Sequence, residues 1–209
     1  MKKLLLVLLV LVVVGGGAFA FDASTYPYPI NPGDFLISPM VGFGYMSWSG
    51  SLGWGWGYGG SLGGGFGLGV PIGLEYALPI PLTVGGEVGV GFGFPSADSL
   101  IGVAIPIMAK VAWHPNFEVD NLDLYITLKM GISIGIMGGD ATSDFDNKAG
   151  VGFAWGTDFG IRYFFTESFG IAGEVGYDRY GIAVRPDSGW PKWLTPIHTF
   201  ARIGVTIKV

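Results

Sequence analysis

The feature that most constrains this chain is an alternation of bulky apolar residues with small or polar ones. From Phe35 onward, every second residue is mostly aliphatic or aromatic, and the residues between are glycine, small, polar or charged. A period of two is the pattern of β-strands whose two faces meet different surroundings. Eight such segments follow one another, and single-chain bacterial membrane barrels have an even number of strands.

The bulk of the two faces decides which of them lies outside. One face carries Ile, Leu, Phe, Trp and Tyr, whereas the other is mostly glycine with one or two charges per segment. An eight-stranded barrel has an interior that side chains only just fill, so the bulky face must point outward. Lipid around an apolar surface requires a closed sheet, because an open edge would leave backbone groups unpaired. The expected fold is an all-β, closed, antiparallel, eight-stranded transmembrane β-barrel.

Composition argues against two other classes of protein. The chain is 50% hydrophobic and only 13% charged, about half the charged fraction of soluble domains. Its 38 glycines and 13 prolines disfavour helices. The one long apolar run, Leu4–Val14, is too short for a membrane-spanning helix. A soluble domain and a helical membrane protein are therefore both disfavoured.

The N-terminus has the features of a secretory signal peptide. Lys2 and Lys3 precede the apolar run, and Ala18-Phe19-Ala20 is a small-x-small cleavage site. We predict a signal peptide over 1–20, an N-terminal periplasmic segment over 21–33 and the barrel over 34–209. Losing two lysines takes the formal net charge from −5 to −7, so nucleic acid is not an expected partner. Without cysteine, disulfides and thiolate metal sites are excluded.

The segments between predicted strands alternate in length. Short turns are expected at Leu78–Pro81, Pro115–Asn121 and Phe165–Ser168, and longer loops at Ser47–Gly60, Gly138–Gly150 and Gly181–Pro196. The exception is Pro95–Ser99, which is short although it falls on the loop side. Outer-membrane barrels have short periplasmic turns and longer extracellular loops. Both chain termini are therefore expected on the periplasmic side.

The segment 160–177, GIRYFFTESFGIAGEVGY, resembles a hairpin of the small outer-membrane barrel superfamily. That group includes the transmembrane domain of outer membrane protein A and the outer membrane protein X and W types. Its hairpins end in an inward Glu before a glycine and an aromatic, here Glu174, Gly176 and Tyr177. The resemblance covers Phe35 to Val209. It implies a monomer in the bacterial outer membrane, with lipopolysaccharide-type lipids and the outer-membrane assembly machinery as partners. The terminal Val209 departs from the aromatic residue usual there.

The inward face carries a nearly balanced set of charges. Buried charges in a narrow lumen must pair, so we expect an ion-pair network that plugs the barrel, with Arg202 near Glu174 and Asp178 and with Lys129 and Glu87 approaching from the other side. The alternative is a selective pore or gate. Glycines toward the outer half predict a roomy vestibule above the charges. The predicted network consists of Glu75, Glu87, Lys110, Asp123, Lys129, Asp158, Arg162, Glu174, Asp178, Arg202 and Lys208.

Three prolines fall inside predicted strands, where each removes a ladder hydrogen bond. Pro39 and Pro71 are expected roughly opposite each other, and Pro106 lies on a later strand. In the protein W type, such a weak seam suggests lateral exit of small hydrophobic molecules into lipid. The alternative is that they mark ordinary β-bulges.

Aromatic residues in the first long loop could form a contact surface for a host molecule or glycan, but the preference of Trp for the membrane interface favours a loop that dips into that interface. These residues are Trp48, Trp54, Trp56 and Tyr58. Asp140, Asp144, Asp146 and Asn147 offer oxygen ligands that suit Ca²⁺, but their spacing is not that of an EF-hand. No metal or cofactor is predicted.

Catalysis has little support in the sequence. The two histidines, His114 and His198, fall near opposite ends of the barrel, and no serine is placed to complete a triad with His198 and Asp178. The expected function is a non-enzymatic barrel, either structural or a narrow passive channel for small solutes, hydrophobic ones among them. The alternatives are a surface adhesin acting through its loops and a lipid-modifying enzyme.

Overall fold

The computed structural model describes residues 29–52, 61–95, 101–115, 119, 121–138, 149–184 and 192–209. Within these ranges no helix is long and apolar enough to cross a bilayer. The strands are β1 (Phe35–Leu52), β2 (Ser61–Ala77), β3 (Leu82–Pro95), β4 (Ile101–Trp113), β5 (Leu122–Gly138), β6 (Ala149–Phe164), β7 (Phe169–Tyr180), β8 (Ile182–Val184) and β9 (Lys192–Lys208).

These strands close into an antiparallel barrel. From β1 to β7 each strand pairs with the next along the chain, β7 and β8 both pair with β9, and β9 returns to pair with β1. Only Gly181 separates β8 from β7, and both pair with β9 in one register, with Arg179 opposite Ile197 and Ile182 opposite Leu194. The two segments form one strand of the wall, so the barrel has eight strands. The predicted fold class is confirmed.

The predicted faces of the sheet are also confirmed. Bulky apolar side chains point outward around the whole wall, as shown by Leu128, which is 68% exposed, and Ile203, which is 60% exposed. The alternate residues are buried in the lumen, including every predicted inward charge except the partly exposed Lys208. An apolar outer surface on a closed sheet is the arrangement that lipid requires.

Three short turns match their predicted positions, since β3, β5 and β7 follow β2, β4 and β6 directly after 78–81, 114–121 and 165–168. The first and last long loops were predicted too long. Strand β1 continues to Leu52, and β9 already begins at Lys192. Runs such as Ser49-Gly50-Ser51 show no apolar alternation, but their backbone continues the ladder to β9. The predicted signal peptide lies outside the described residues.

Candidate functional site

The charged residues of the lumen form two linked groups. The lower cluster is Glu75, Lys110, Asp123 and Arg162, at the end of the barrel where the described chain begins and ends. Arg162 of β6 donates to Glu75 of β2, directly across the ring of strands, and to Asp123 at 3.2 Å. The Lys110 ammonium also lies 3.0 Å from Glu75, so this carboxylate is shared by two cations. The lower cluster therefore ties opposite walls of the barrel together.

The upper cluster lies nearer mid-height and is formed by Glu87, Lys129, Asp158, Asp178 and Arg202. Lys129 Nζ lies 2.8 Å from Asp178, 3.0 Å from Asp158 and 3.2 Å from Glu87. Arg202 donates to Asp178 at 2.7 Å and to Glu87 at 3.2 Å. Each cation is therefore shared by several carboxylates.

Glu174 joins the two clusters. Its oxygens lie 3.7 Å from Lys110 of the lower cluster and 3.5 Å from Arg202 of the upper cluster. The hydroxyl of Tyr125 also donates to it at 2.8 Å. The combined network has at least one charged member on every wall strand except β1, which carries no charged residue.

Two aromatic rings inside the lumen stabilise the arginines of the network, because each guanidinium lies over the face of one ring. The Arg162 guanidinium lies 3.9 Å from the centroid of the Tyr125 ring, and the Arg202 guanidinium lies 3.6 Å from that of Phe200. Such cation–π contacts are stronger where water is excluded. Phe200 is absent from the predicted network, although its position on the inward face of the last strand could have indicated it.

The structure places Lys208 apart from both clusters. Its ammonium lies 3.3 Å from Asp34 and donates to the carbonyl of Pro29 at 3.1 Å, at the rim of the barrel. Alternation assigns a residue to a face but not to a depth, and Lys208 is the last residue of its strand. It is therefore not a member of the network.

His114, which was not predicted as a member, belongs to the lower end of the network. Its Nδ1 lies 2.7 Å from Asp123, and its Nε2 lies 3.0 Å from the Thr83 hydroxyl. This resembles a nucleophile–base–acid triad. However, the Thr83 hydroxyl donates its proton to Glu75 at 2.7 Å, so His114 is not placed to remove it. The arrangement acts as a set of hydrogen bonds that hold Asp123 and Glu75 in place.

Three carboxylates, Glu87, Asp158 and Glu174, could each offer an oxygen to a metal ion, with these atoms within 4.8 Å of one another. The Lys129 ammonium already lies within 3.2 Å of two of them, Glu87 and Asp158. An ammonium at that position supplies the positive charge that a metal ion would bring, so the group is explained as part of the ion-pair network.

Where the glycine pattern predicted a roomy vestibule, the outer half of the lumen instead has a cluster of buried apolar side chains. Residues from β1, β4, β5, β6, β7 and β8 meet in one buried cluster. These larger side chains take up the space beside the inward glycines. A Cβ on Gly135, for example, would clash with Ile182. Small residues on one strand therefore accommodate large ones from another. The cluster consists of Met46, Ala104, Met108, Met137, Ala154, Tyr180 and Ile182.

The prolines interrupt the ladder as their chemistry requires. Pairing of β1 with β2 skips from Pro39–Ile72 to Gly42–Gly69, which leaves Met40 and Val41 opposite Pro71 and Val70 without ladder bonds. Pairing of β1 with β9 also skips Pro39. The ladder of β3 with β4 skips Pro106 in the same way.

The remaining candidates lie apart from the network or outside the described residues. Trp48 belongs to β1, opposite Gly63 and Pro196. Trp54, Trp56, Tyr58 and the loop residues Asp140, Asp144, Asp146 and Asn147 lie outside the described part of the chain. His198 is opposite Asp178 in the ladder, and its Nε2 has no hydrogen-bond partner among the described residues.

Comparison with known proteins finds similarity in fold only. No family model matches the sequence, and no curated protein matches it. Neisserial surface protein A is 15% identical with a TM-score of 0.50, over 85% of this chain and 99% of that chain. Outer Membrane Protein W of E. coli is 12% identical with a TM-score of 0.51, over 86% of this chain and 99% of that chain. The chain therefore has the fold of the small, eight-stranded outer-membrane β-barrels.

Proposed function

We propose that this protein is a non-enzymatic, monomeric outer-membrane barrel whose lumen is closed, and that its role is structural, in the integrity of the membrane. The observation that carries the proposal is the ion-pair network, which joins opposite walls through Arg162 and Glu75 and through Arg202 and Glu87. Both chain termini lie at the periplasmic end, and the expected partners are outer-membrane lipids, lipopolysaccharide-type lipids among them, and the assembly machinery.

Two features support closure over open conduction. The charges of the network are almost completely buried, with side-chain exposure of 3% or less for Arg202 and Lys129. Separating such a pair leaves a buried charge without compensation, at a cost of about 3–5 kcal/mol. Above the network, the apolar cluster of Met46, Met108 and Met137 fills the lumen. A hydrophilic solute would have to displace both layers.

The proposal predicts that the purified protein, inserted in planar bilayers, produces no resolvable conductance steps. A double variant, Glu87→Ala with Arg202→Ala, removes a pair that crosses the lumen but leaves the apolar cluster above it, so it is expected to conduct only when Met46→Ala and Met108→Ala are added. The matched control, Met46→Ala with Met108→Ala, widens the outer half alone and is expected to remain closed, because the ion pairs below it are intact. Steady conductance by the unaltered protein would contradict the closed lumen.

A second candidate function is lateral passage of small hydrophobic molecules between the lumen and the lipid. The interruption of the wall around Pro39 and Pro71 favours it, because ladder pairing there is missing between β1 and both of its neighbours. A wall without these bonds separates more easily than a continuous ladder. The buried, flexible side chain of Met40 lies on the inner side of this seam.

A disulfide across the seam tests this second function. Val41→Cys with Val70→Cys places two thiols on opposite residues of the interrupted ladder, and the chain has no other cysteine. If molecules leave through the seam, oxidation should abolish uptake of a small hydrophobic dye into proteoliposomes, and reduction should restore it. The control pair, Phe43→Cys with Leu68→Cys, lies in the intact ladder and should have no effect. Equal uptake by the oxidised and reduced forms would eliminate lateral passage.

A further inference from the structure

Arg179 occupies an unusual position on the outer wall. Among the strand residues whose side chains the structure describes, it is the only charged one on the outward face. It lies near the end of β7 opposite to the chain termini, and it is exposed. No acidic residue in the described part of the chain forms an ion pair with it. A cation on the lipid-facing surface therefore has no partner of its own in that part of the protein.

The surroundings of Arg179 are those of the membrane interface. Its ladder neighbours are Trp155 on β6 and Ile197 on β9. The Trp155 ring lies 5.5 Å from that of Tyr177. Trp and Tyr are enriched where the apolar bilayer meets the headgroups, and arginine on the lipid face costs least at that depth. This places the guanidinium at the level of the lipid headgroups.

Polar and small residues follow Arg179 along the outer wall toward the middle of the barrel. Tyr177 is opposite Thr199, whose side chain is exposed and which also faces Tyr45 of β1. Two residues further toward the membrane centre, Ala201 lies between the larger outward side chains of Val175 and Phe43. A small residue between two large ones leaves a shallow apolar groove below the hydroxyls.

We propose that Arg179, Tyr177 and Thr199 bind the phosphate of an anionic lipid in the outer leaflet, with an acyl chain of that lipid lying over Ala201. A guanidinium binds phosphate through two parallel hydrogen bonds, which few other side chains can do. The groove favours a lipid over free phosphate, because inorganic phosphate gains nothing from an apolar surface. The proposal rests on the membrane location in the proposed function and adds a specific partner to it.

Binding is tested with the purified barrel in a zwitterionic detergent, by native mass spectrometry with a diphosphorylated glycolipid and with its dephosphorylated form. The unaltered protein should prefer the phosphorylated form. Arg179→Gln should weaken that binding roughly 10-fold or more and remove the preference. Lys208→Gln, which removes the same charge at the opposite rim, should bind as the unaltered protein does. Ala201→Phe should weaken both lipids by filling the groove.

Unchanged binding by Arg179→Gln would overturn the site. Equal weakening by Lys208→Gln would overturn it as well, because general attraction to positive charge would then explain the preference. Displacement of the lipid by millimolar inorganic phosphate would show a free-anion site and would contradict the role of Ala201. All of these measurements are made in detergent, so their outcome does not depend on the closed lumen or on the orientation of the barrel in a membrane.

Discussion

Arg202→Ala is expected to lower the free energy of unfolding by about 3–5 kcal/mol, the usual cost of removing one partner from a buried ion pair. Its guanidinium lies 2.7 Å from Asp178, 3.2 Å from Glu87 and 3.5 Å from Glu174, and its side chain is 3% exposed. Without it, Asp178 and Glu87 share the single ammonium of Lys129, which also serves Asp158. Urea unfolding of the barrel in lipid vesicles measures the loss.

Two further variants identify the origin of this loss. Lys208→Ala removes a basic residue whose ion pair with Asp34 is partly exposed, with side chains 15% and 21% accessible, so it should cost about 0–1 kcal/mol. Adding Glu87→Gln to Arg202→Ala removes one of the carboxylates that then share the Lys129 ammonium, and should recover part of the stability. Equal losses in Arg202→Ala and Lys208→Ala would show that water reaches the upper cluster and that burial is not the cause.

Leu128→Arg should destabilise the inserted barrel by about 2–4 kcal/mol, because arginine at the bilayer midplane of a transmembrane barrel costs that much. Leu128 is 68% exposed on the outer wall and lies near the middle of β5. Its side chain therefore has lipid around it and no protein partner that could neutralise a charge. The measurement is again urea unfolding in vesicles, compared with the unaltered protein.

The control is a second arginine on the same strand and the same face. Ile136 is 47% exposed and lies close to the end of β5, so Ile136→Arg should cost only about 0–1 kcal/mol. A cost at Ile136 as large as that at Leu128 would mean that the membrane is not centred on the middle of β5. A loss in Leu128→Ala as large as that in Leu128→Arg would show that the effect comes from lost packing and not from the charge in lipid.

A lumen-facing substitution on β5 would be a poor control. Alternation correctly places Gly131 on the inward face, and on that basis a small side chain there appears harmless. A Cβ on Gly131 would, however, contact the backbone carbonyl of Ile107 on the neighbouring strand β4. The close approach of two strands depends on the local coiling of the sheet, which no pattern within one strand reports.

Much of the barrel follows from local pattern alone. A period of two assigns each residue to a face, and the bulk of Ile, Leu and Phe against glycine decides that the apolar face is outside. Closure, the number of strands and the inward position of Glu75, Arg162 and Arg202 follow from those two facts. These inferences need no knowledge of which strands meet across the lumen, because lipid outside and a narrow interior constrain every strand in the same way.

Only the tertiary structure decided which inward residues meet and how deep they lie. Arg162 reaches Glu75 on the opposite wall, His114 joins the network, and Lys208 is left at the rim. Tyr180 and Ile182 lie in a buried apolar cluster where glycines predicted open space. Contacts across a lumen depend on strand tilt and on the stagger between strands around the whole ring. That stagger is a property of the closed sheet, so it is absent from the alternation of any single strand.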